Sequence, residues 1–146
     1  MCSVLHNLSC TTMVVYMSHL DRYRLFLAAL ERFDGSDVVG RLWTDDVQFR
    51  ELPNLLVPAG RVRSRAQALE GLGMAPKVLS AQRYEVRRVV EQGDTLAVEL
   101  GWTGTLKVPL GKTPAGGALK ATFAAFVTFR EGLICHQSNF DCYEPF

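Results

Sequence analysis

Two carboxylates stand where alternating segments set polar groups beside apolar ones. Val47, Phe49 and Glu51 share one face of a short alternating stretch and Gln48 and Arg50 the other, so Glu51 closes an otherwise apolar face. A carboxyl there is either a base whose pKa is raised by burial or a strand-end group that reaches solvent or pairs with arginine. Near the end of the chain, Leu133 to Asp141 returns from a turn at Glu131-Gly132 and presents Cys135, Gln137, Asn139 and Asp141 on one face. Its outgoing partner, Ala118 to Arg130, offers Phe123, Val127 and Phe129 with Ala121 and Ala125 between them. A row of polar groups beside so apolar a strand suits the lining of a small-molecule cavity. The chemistry such residues supply is proton transfer: Glu51 or Asp141 as acid or base, with Gln137 and Asn139 polarising a carbonyl or hydroxyl. The plainer alternatives are that Asp141 caps the strand and that the two amides bond a neighbouring loop.

Other reactive residue types give less. His136 falls on the opposite face of the last strand with Ser138 and Phe140, away from such a cavity and toward a dimer partner. Trp102 alternates with Leu96, Val98 and Leu100 and reads as cavity wall or core, Trp43 as core, and Tyr23 as either. The four cysteines, Cys2, Cys10, Cys135 and Cys142, show no CxxC spacing or paired histidine motif, so zinc is not expected and free thiols in a reducing cytosol are. Gly111-Lys112-Thr113 lacks the upstream glycine of a phosphate loop. Net charge is +1, which leaves no electrostatic footprint for nucleic acid, and Arg61, Arg63 and Arg65 read as a solvated strand or loop edge. No apolar run is long enough for a membrane span.

The elements that position these residues follow from periodicity. The 146 residues, 48% hydrophobic and 21% charged, fit one domain with a real core. Residues 1–17 read as a flexible extension or as the product of a start codon upstream of a natural start at Met17, because Met1 to Tyr16 carries no Lys, Arg, Asp or Glu. Residues 18–146 form the domain. Ser18 with Asp21 opens a helix whose apolar positions are Leu20, Tyr23, Phe26, Leu27, Leu30 and Phe33. Ser36 and Asp37 cap a short second helix burying Val38, Val39, Leu42 and Trp43 and ending at Asp45-Asp46. Ser64 with Gln67 opens a third, loosened or stopped by Gly71, Gly73 and Pro76. From Arg83 onward the chain reads as about four long strands, with Val108 to Gly117 a loop that lies over a pocket mouth as a lid. The fold class is therefore α+β, with about three helices covering a strongly curved mixed or antiparallel sheet and leaving a conical cavity.

This order, and the phrases Arg22-Tyr23 with Phe26 to Leu30, Leu42 to Glu51, and Phe126 to Ile134, resemble the nuclear transport factor 2-like superfamily. Within it the chain most resembles SnoaL-like polyketide cyclases and ketosteroid isomerases, over Leu20 to about Asp141. The resemblance implies a cone-shaped barrel, a homodimer, no cofactor, and a small apolar oxygenated ligand touching Tyr23, Phe26, Trp102, Phe123, Gln137 and Asn139. Glu51 falls at the isomerase base, but Phe26 and Ala125 stand where the isomerases carry their oxyanion donors. The acid/base position of the cyclases falls on Asn139 or on Asp141. The function implied is acid/base chemistry of isomerase or cyclase type in the cytoplasm; the alternative is a ligand-binding or dimeric association module of the same fold.

Overall fold

The structure is a computed structural model and describes residues 17–146. The expected extension therefore lies, apart from Met17, outside the described residues. The elements are α1 (His19–Glu31), α2 (Ser36–Val39), β1 (Trp43–Glu51), β2 (Arg61–Ser64), α3 (Arg65–Val78), β3 (Leu79–Gln92), β4 (Thr95–Leu106), β5 (Ala118–Arg130) and β6 (Leu133–Tyr143). A 3₁₀ turn, Gly40–Leu42, links α2 to β1.

Both long helices begin as their sequences dictate. The Ser18 hydroxyl accepts from the Asp21 N–H at 3.1 Å, satisfying one free donor of the first turn. Ser64 and Gln67 close a reciprocal capping box at the start of α3. Gly71, Gly73 and Pro76 do not stop that helix, which runs to Val78. A proline in the last turn forfeits one intrahelical bond near an end that frays in any case.

The strands form one mixed sheet of order β2-β1-β6-β5-β4-β3, in which only the β1–β6 pairing is parallel. β2 and β3 are its two edges, so the sheet is open where a closed barrel was expected. Register shifts in the β1–β6, β3–β4 and β5–β6 pairings mark bulges, which bend and twist strands locally. α1 packs against β3, and α3 against β1 and β3, so both cover the same face. That face carries the core: Tyr23, Phe26, Leu27 and Ala29 of α1 against Val47 and Phe49 of β1, Leu96, Val98 and Leu100 of β4, Ala125, Val127 and Phe129 of β5, and Ile134 of β6.

Three local readings are corrected. Trp43, Asp45 and Asp46 belong to β1 rather than to the end of a helix, because the strand pairs with β6 from Trp43 onward. Cys135 does not continue the row of Gln137 and Asn139. Ile134 pairs with Phe129 and His136 with Thr128, so Cys135 is the extra residue of a bulge and the parity of the strand changes there. The segment between β4 and β5 packs its Gly111 against Phe146, and none of its residues lines the cavity described next.

Candidate functional site

Register-paired residues of a sheet project to the same side, so the pairings lay out the helix-covered face as rows. One row reads Arg63, Phe49, Gln137, Val127, Leu96 across β2, β1, β6, β5 and β4. The next reads Arg61, Glu51, Asn139, Ala125, Val98. β1 ends at Glu51, so the third begins at Asp141 and continues through Phe123, Leu100 and Val86. The fourth runs Tyr143, Ala121, Trp102, Tyr84.

Between these rows and the helices lies a cavity of about 120 Å³. Tyr23, Phe26, Phe49, Leu100 and Phe123 make it apolar, while Arg63, Tyr84, Gln137 and Asn139 bring polar groups to it. Trp43 joins the wall between Phe26 and Phe49, with ring centroids 5.9 and 4.6 Å away. Five of the six residues expected to touch ligand therefore line one cavity. Trp102 stands behind it, stacked on Phe123 at 5.5 Å, with its Nε1 donating to Gln82 Oε1 at 3.2 Å.

The two carboxylates stand in adjacent rows, in different circumstances, and neither lines this cavity. Glu51 is 8% exposed, and both its oxygens are engaged. Arg61 Nε donates to Oε2 at 2.6 Å and Asn54 Nδ2 to Oε1 at 3.1 Å. Asn54 is itself fixed, its Oδ1 accepting from the N–H groups of Leu56 and Val57 at 2.9 and 3.0 Å. Gly60, with φ of +64°, lets the returning loop pass the Glu51 carbonyl, where a Cβ would come within 2.8 Å.

Asp141 is the complement of Glu51. Its Oδ1 is buried and has no hydrogen-bond partner among the described residues. Burial pushes its pKa up, and the neighbouring Glu51 charge pushes it further, against the opposing pull of Arg63 and Arg61, to about 7. Tyr23 and Tyr84 are held well above the ordinary tyrosine value, first by burial, so both stay protonated donors. Burial acts the same way on Tyr143.

The amides are aimed at each other and at the cavity. Gln137 Nε2 donates to Asn139 Oδ1 at 2.7 Å, leaving buried Gln137 Oε1 without a well-aligned partner among the described residues. Trp43 Nε1 and Arg63 Nε are unpartnered there too. Buried polar atoms are rarely left unpaired, so three such residues around one cavity suit an oxygenated guest. Among the described residues no group of three or more His, Cys, Asp or Glu side chains is placed to hold a metal ion.

Sequence reasoning missed Arg63, Trp43 and Tyr84. Arg63 looks like part of a solvated basic run, yet its register partner is inward-facing Phe49, while Val62 between the two arginines is turned outward. The available signal was the inverted alternation Arg61-Val62-Arg63 following a strand that ends in a carboxylate. His136, Ser138 and Phe140 project from the other face, as their parity requires.

Comparison with known proteins identifies the family and the fold. Residues 23–137 match the SnoaL-like domain, and the chain belongs to that family. Among solved structures it is similar to IdmH, a putative polyketide cyclase from Streptomyces antibioticus (TM-score 0.72, 18% identity, covering 86% of this chain and 92% of that one). It is similar to AclR, a putative hydroxylase from Streptomyces galilaeus (TM-score 0.69, 18% identity, 88% and 83% covered). It also resembles an NTF2-like protein of unknown function from Burkholderia pseudomallei K96243 (TM-score 0.68, 16% identity, 85% and 91% covered). At such identities these likenesses establish the NTF2-like fold alone. No curated protein matches the chain. Among the described residues no helix is long and apolar enough to cross a membrane.

Proposed function

We propose that this protein binds a small, largely apolar, oxygenated molecule in the cavity and transfers protons on it without a metal or organic cofactor, as an isomerase or cyclase does. The observation that carries the reading is Asp141: a half-buried carboxyl whose inner oxygen has no hydrogen-bond partner among the described residues, whose pKa is pushed up to about 7, and which pairs across the β5–β6 ladder with cavity-lining Phe123. A group with that pKa holds and releases a proton at neutral pH, and one such acid/base group supplies about 10²–10⁴-fold in rate. Glu51 is the field-setting neighbour rather than the base, because Arg61 and Asn54 occupy its oxygens. Gln137, Asn139 and the Tyr23 hydroxyl orient the substrate oxygens, in place of the donors absent at Phe26 and Ala125, while the Tyr84 hydroxyl donates to Gln82 Oε1 at 3.3 Å. The likeness to IdmH, a putative polyketide cyclase, and to AclR, a putative hydroxylase, supports an oxygenated substrate. A reducing, cytosolic setting suits Cys135 and Cys142 as free thiols, and neither nucleic acid nor membrane is a partner in this reading.

The test is incubation with a panel of aromatic polyketides, steroids and terpenoids, followed by native mass spectrometry and chromatography of the recovered ligand. A ligand returned altered by the wild type and unaltered by Asp141→Asn supports the reading. A ligand retained but unaltered by both leaves a binding protein. No retention of any member removes the pocket as the seat of function.

A second reading rests on the outer face of the sheet. Phe126 and Phe140 are 52% and 43% exposed there and pack edge to face at 6.0 Å, with exposed Val90 on the same side. Large apolar groups in one patch suit a partner surface. The partner we assign is a second copy of this chain, whether the pocket is catalytic or only binds.

A further inference from the structure

Within the pocket, one charge is left without a partner of its own. β2 directs Arg61 and Arg63 to the helix-covered side, opposite Glu51 and Phe49. Arg61 takes the Glu51 carboxylate in a 2.6 Å hydrogen bond. Arg63 reaches the same oxygen only at 3.9 Å, too far for a hydrogen bond, and its Nε has no partner among the described residues. The Arg63 side chain is 26% exposed and lines the cavity. A guanidinium that is mostly out of water and hydrogen-bonded to no carboxylate can receive an anion. Burial, followed by repulsion from Arg61, lowers its pKa against the opposing pull of Glu51 and Asp141.

The helix above is shaped for it. A Cβ on Gly71 of α3 would fall 2.7 Å from the Arg63 Nη1, whereas one on Gly73, two residues on, would meet nothing within 4 Å. Glycine in a helix interior is unfavourable relative to alanine. At Gly71 its bareness has a use, because the guanidinium occupies the space where a methyl group would sit. Gln137 in the same row keeps an oxygen at the cavity with no well-aligned partner beyond the nearby Tyr23 hydroxyl, and Trp43 on the neighbouring strand keeps its Nε1 unpaired among the described residues. A donor fork, a second donor and an acceptor thus line one aromatic chamber.

We infer that Arg63, seated by Gly71, receives an acidic oxygen of the ligand, so that the pocket selects apolar aromatic molecules bearing a carboxylate, a phenolate or an enolised carbonyl over their neutral counterparts. The inference rests on the pocket reading above and names the class of molecule that the pocket takes. Arg63 is a binding and specificity residue here; proton transfer remains with Asp141.

The test uses the full chain and three probes: 2-naphthoate, its uncharged isostere 2-naphthamide, and 4-nitrophenol as the phenol arm. Binding of the first two is read by tryptophan fluorescence and calorimetry, and that of nitrophenol by the absorbance of its anion. The wild type should bind naphthoate at least about tenfold more tightly than naphthamide, as expected for a charge-assisted contact. It should also hold nitrophenol ionised at a pH where the free phenol is neutral. A carboxylate preference alone assigns the site to carboxylates, and an effect on nitrophenol alone to phenols and enols. Arg63→Gln should abolish these preferences and Arg63→Lys should restore part of them. Gly71→Ala should weaken naphthoate and leave naphthamide unchanged, since it displaces the flexible end of the arginine and suits the helix. It therefore serves even where Arg63→Gln does not fold, which circular dichroism reports. Equal binding of naphthoate and naphthamide with no ionisation of nitrophenol, or a preference that survives Arg63→Gln, overturns the assignment while leaving the pocket intact. Failure of all three probes to bind the wild type overturns the pocket reading and this inference with it.

Discussion

Glu51 lies opposite Asn139 across the parallel pairing of β1 with β6, and the following Leu52 N–H donates to the Asn139 carbonyl at 3.0 Å. β1 ends there, so Asp141, one inward-facing position further on, has a paired strand on one side only. The register thus separates two nearby carboxyls. Glu51 is held between its own loop and Arg61, whereas Asp141 is half-buried near the first charge with its inner oxygen unpartnered among the described residues. Environments that differ in this way let one carboxyl set the field and the other carry the proton.

The first prediction concerns stability against pH. The groups bearing on Asp141 are Glu51 from β1, Arg61 and Arg63 from β2, Tyr23 from α1, Tyr84 from β3 and Tyr143 from β6 itself. Its folded-state pKa is raised from the ordinary 3.8 to about 7. The folded protein therefore keeps a proton that the unfolded chain gives up as pH rises above about 4. Stability should fall across the window from about 4 to 7 and then level off. Asp141→Asn should remove that fall and stabilise the protein at pH 8 on the order of a few kcal/mol, with the gain shrinking toward pH 4. Urea unfolding of both proteins at pH 4, 6 and 8 checks it. A difference independent of pH would mean that Asp141 titrates normally.

A second prediction isolates Glu51. Because its charge helps to raise the Asp141 pKa, Glu51→Gln should lower that pKa, seen in the carboxyl carbon shift by NMR. The same change weakens a short charged hydrogen bond to Arg61 and should cost about 1–3 kcal/mol. Turnover, where a substrate is found, should shift its acidic limb to lower pH rather than vanish. Complete loss of turnover in a folded Glu51→Gln protein would return the base to Glu51.

Much of this was legible in the chain. Ser18 and Ser64 announce their helices because a cap is a local interaction, readable from residues three apart. Strict alternation placed Trp102, Phe123, Gln137 and Asn139 on the correct side, since a strand has no other way to set them. What failed was non-local. The bulge at Cys135 depends on how β5 pairs with β6, and Trp43 and Asp45-Asp46 enter β1 because β6 lies alongside. Arg63 looks like surface until β2 is known to pair with β1, when its partner Phe49 draws it inward. Which carboxyl was free was likewise hidden, because Glu51 is occupied by Asn54 and by Arg61 from the far side of a loop.

A third prediction concerns the outer face. Phe126 and Phe140 belong to adjacent strands and cover each other only partly. Self-association through this patch should give a dimer by sedimentation, and Phe126→Glu with Phe140→Glu should give a folded monomer. Because both side chains are exposed, each substitution should change stability of the isolated subunit by about 0.5 kcal/mol or less. A wild type that sediments as a monomer at micromolar concentration would leave the patch without its assigned partner.

The last prediction tests the cavity without touching any charged group. Ala125 lies between Val98 of β4 and Asn139 of β6 on the lined face. Its methyl group leaves room that a longer side chain would fill. Ala125→Leu should project three further carbons toward Phe26 and Phe123, exclude ligand, and leave the Asp141 environment in place. Crowding a packed wall typically costs about 1–3 kcal/mol, so thermal unfolding should move down by several degrees without loss of the fold. Retention of the panel ligand should fall at least about tenfold, because the ligand and the new side chain compete for one space of about 120 Å³. If Ala125→Leu binds ligand as the wild type does, the ligand sits elsewhere, and the polar face of Asp141 and Arg63 has another use.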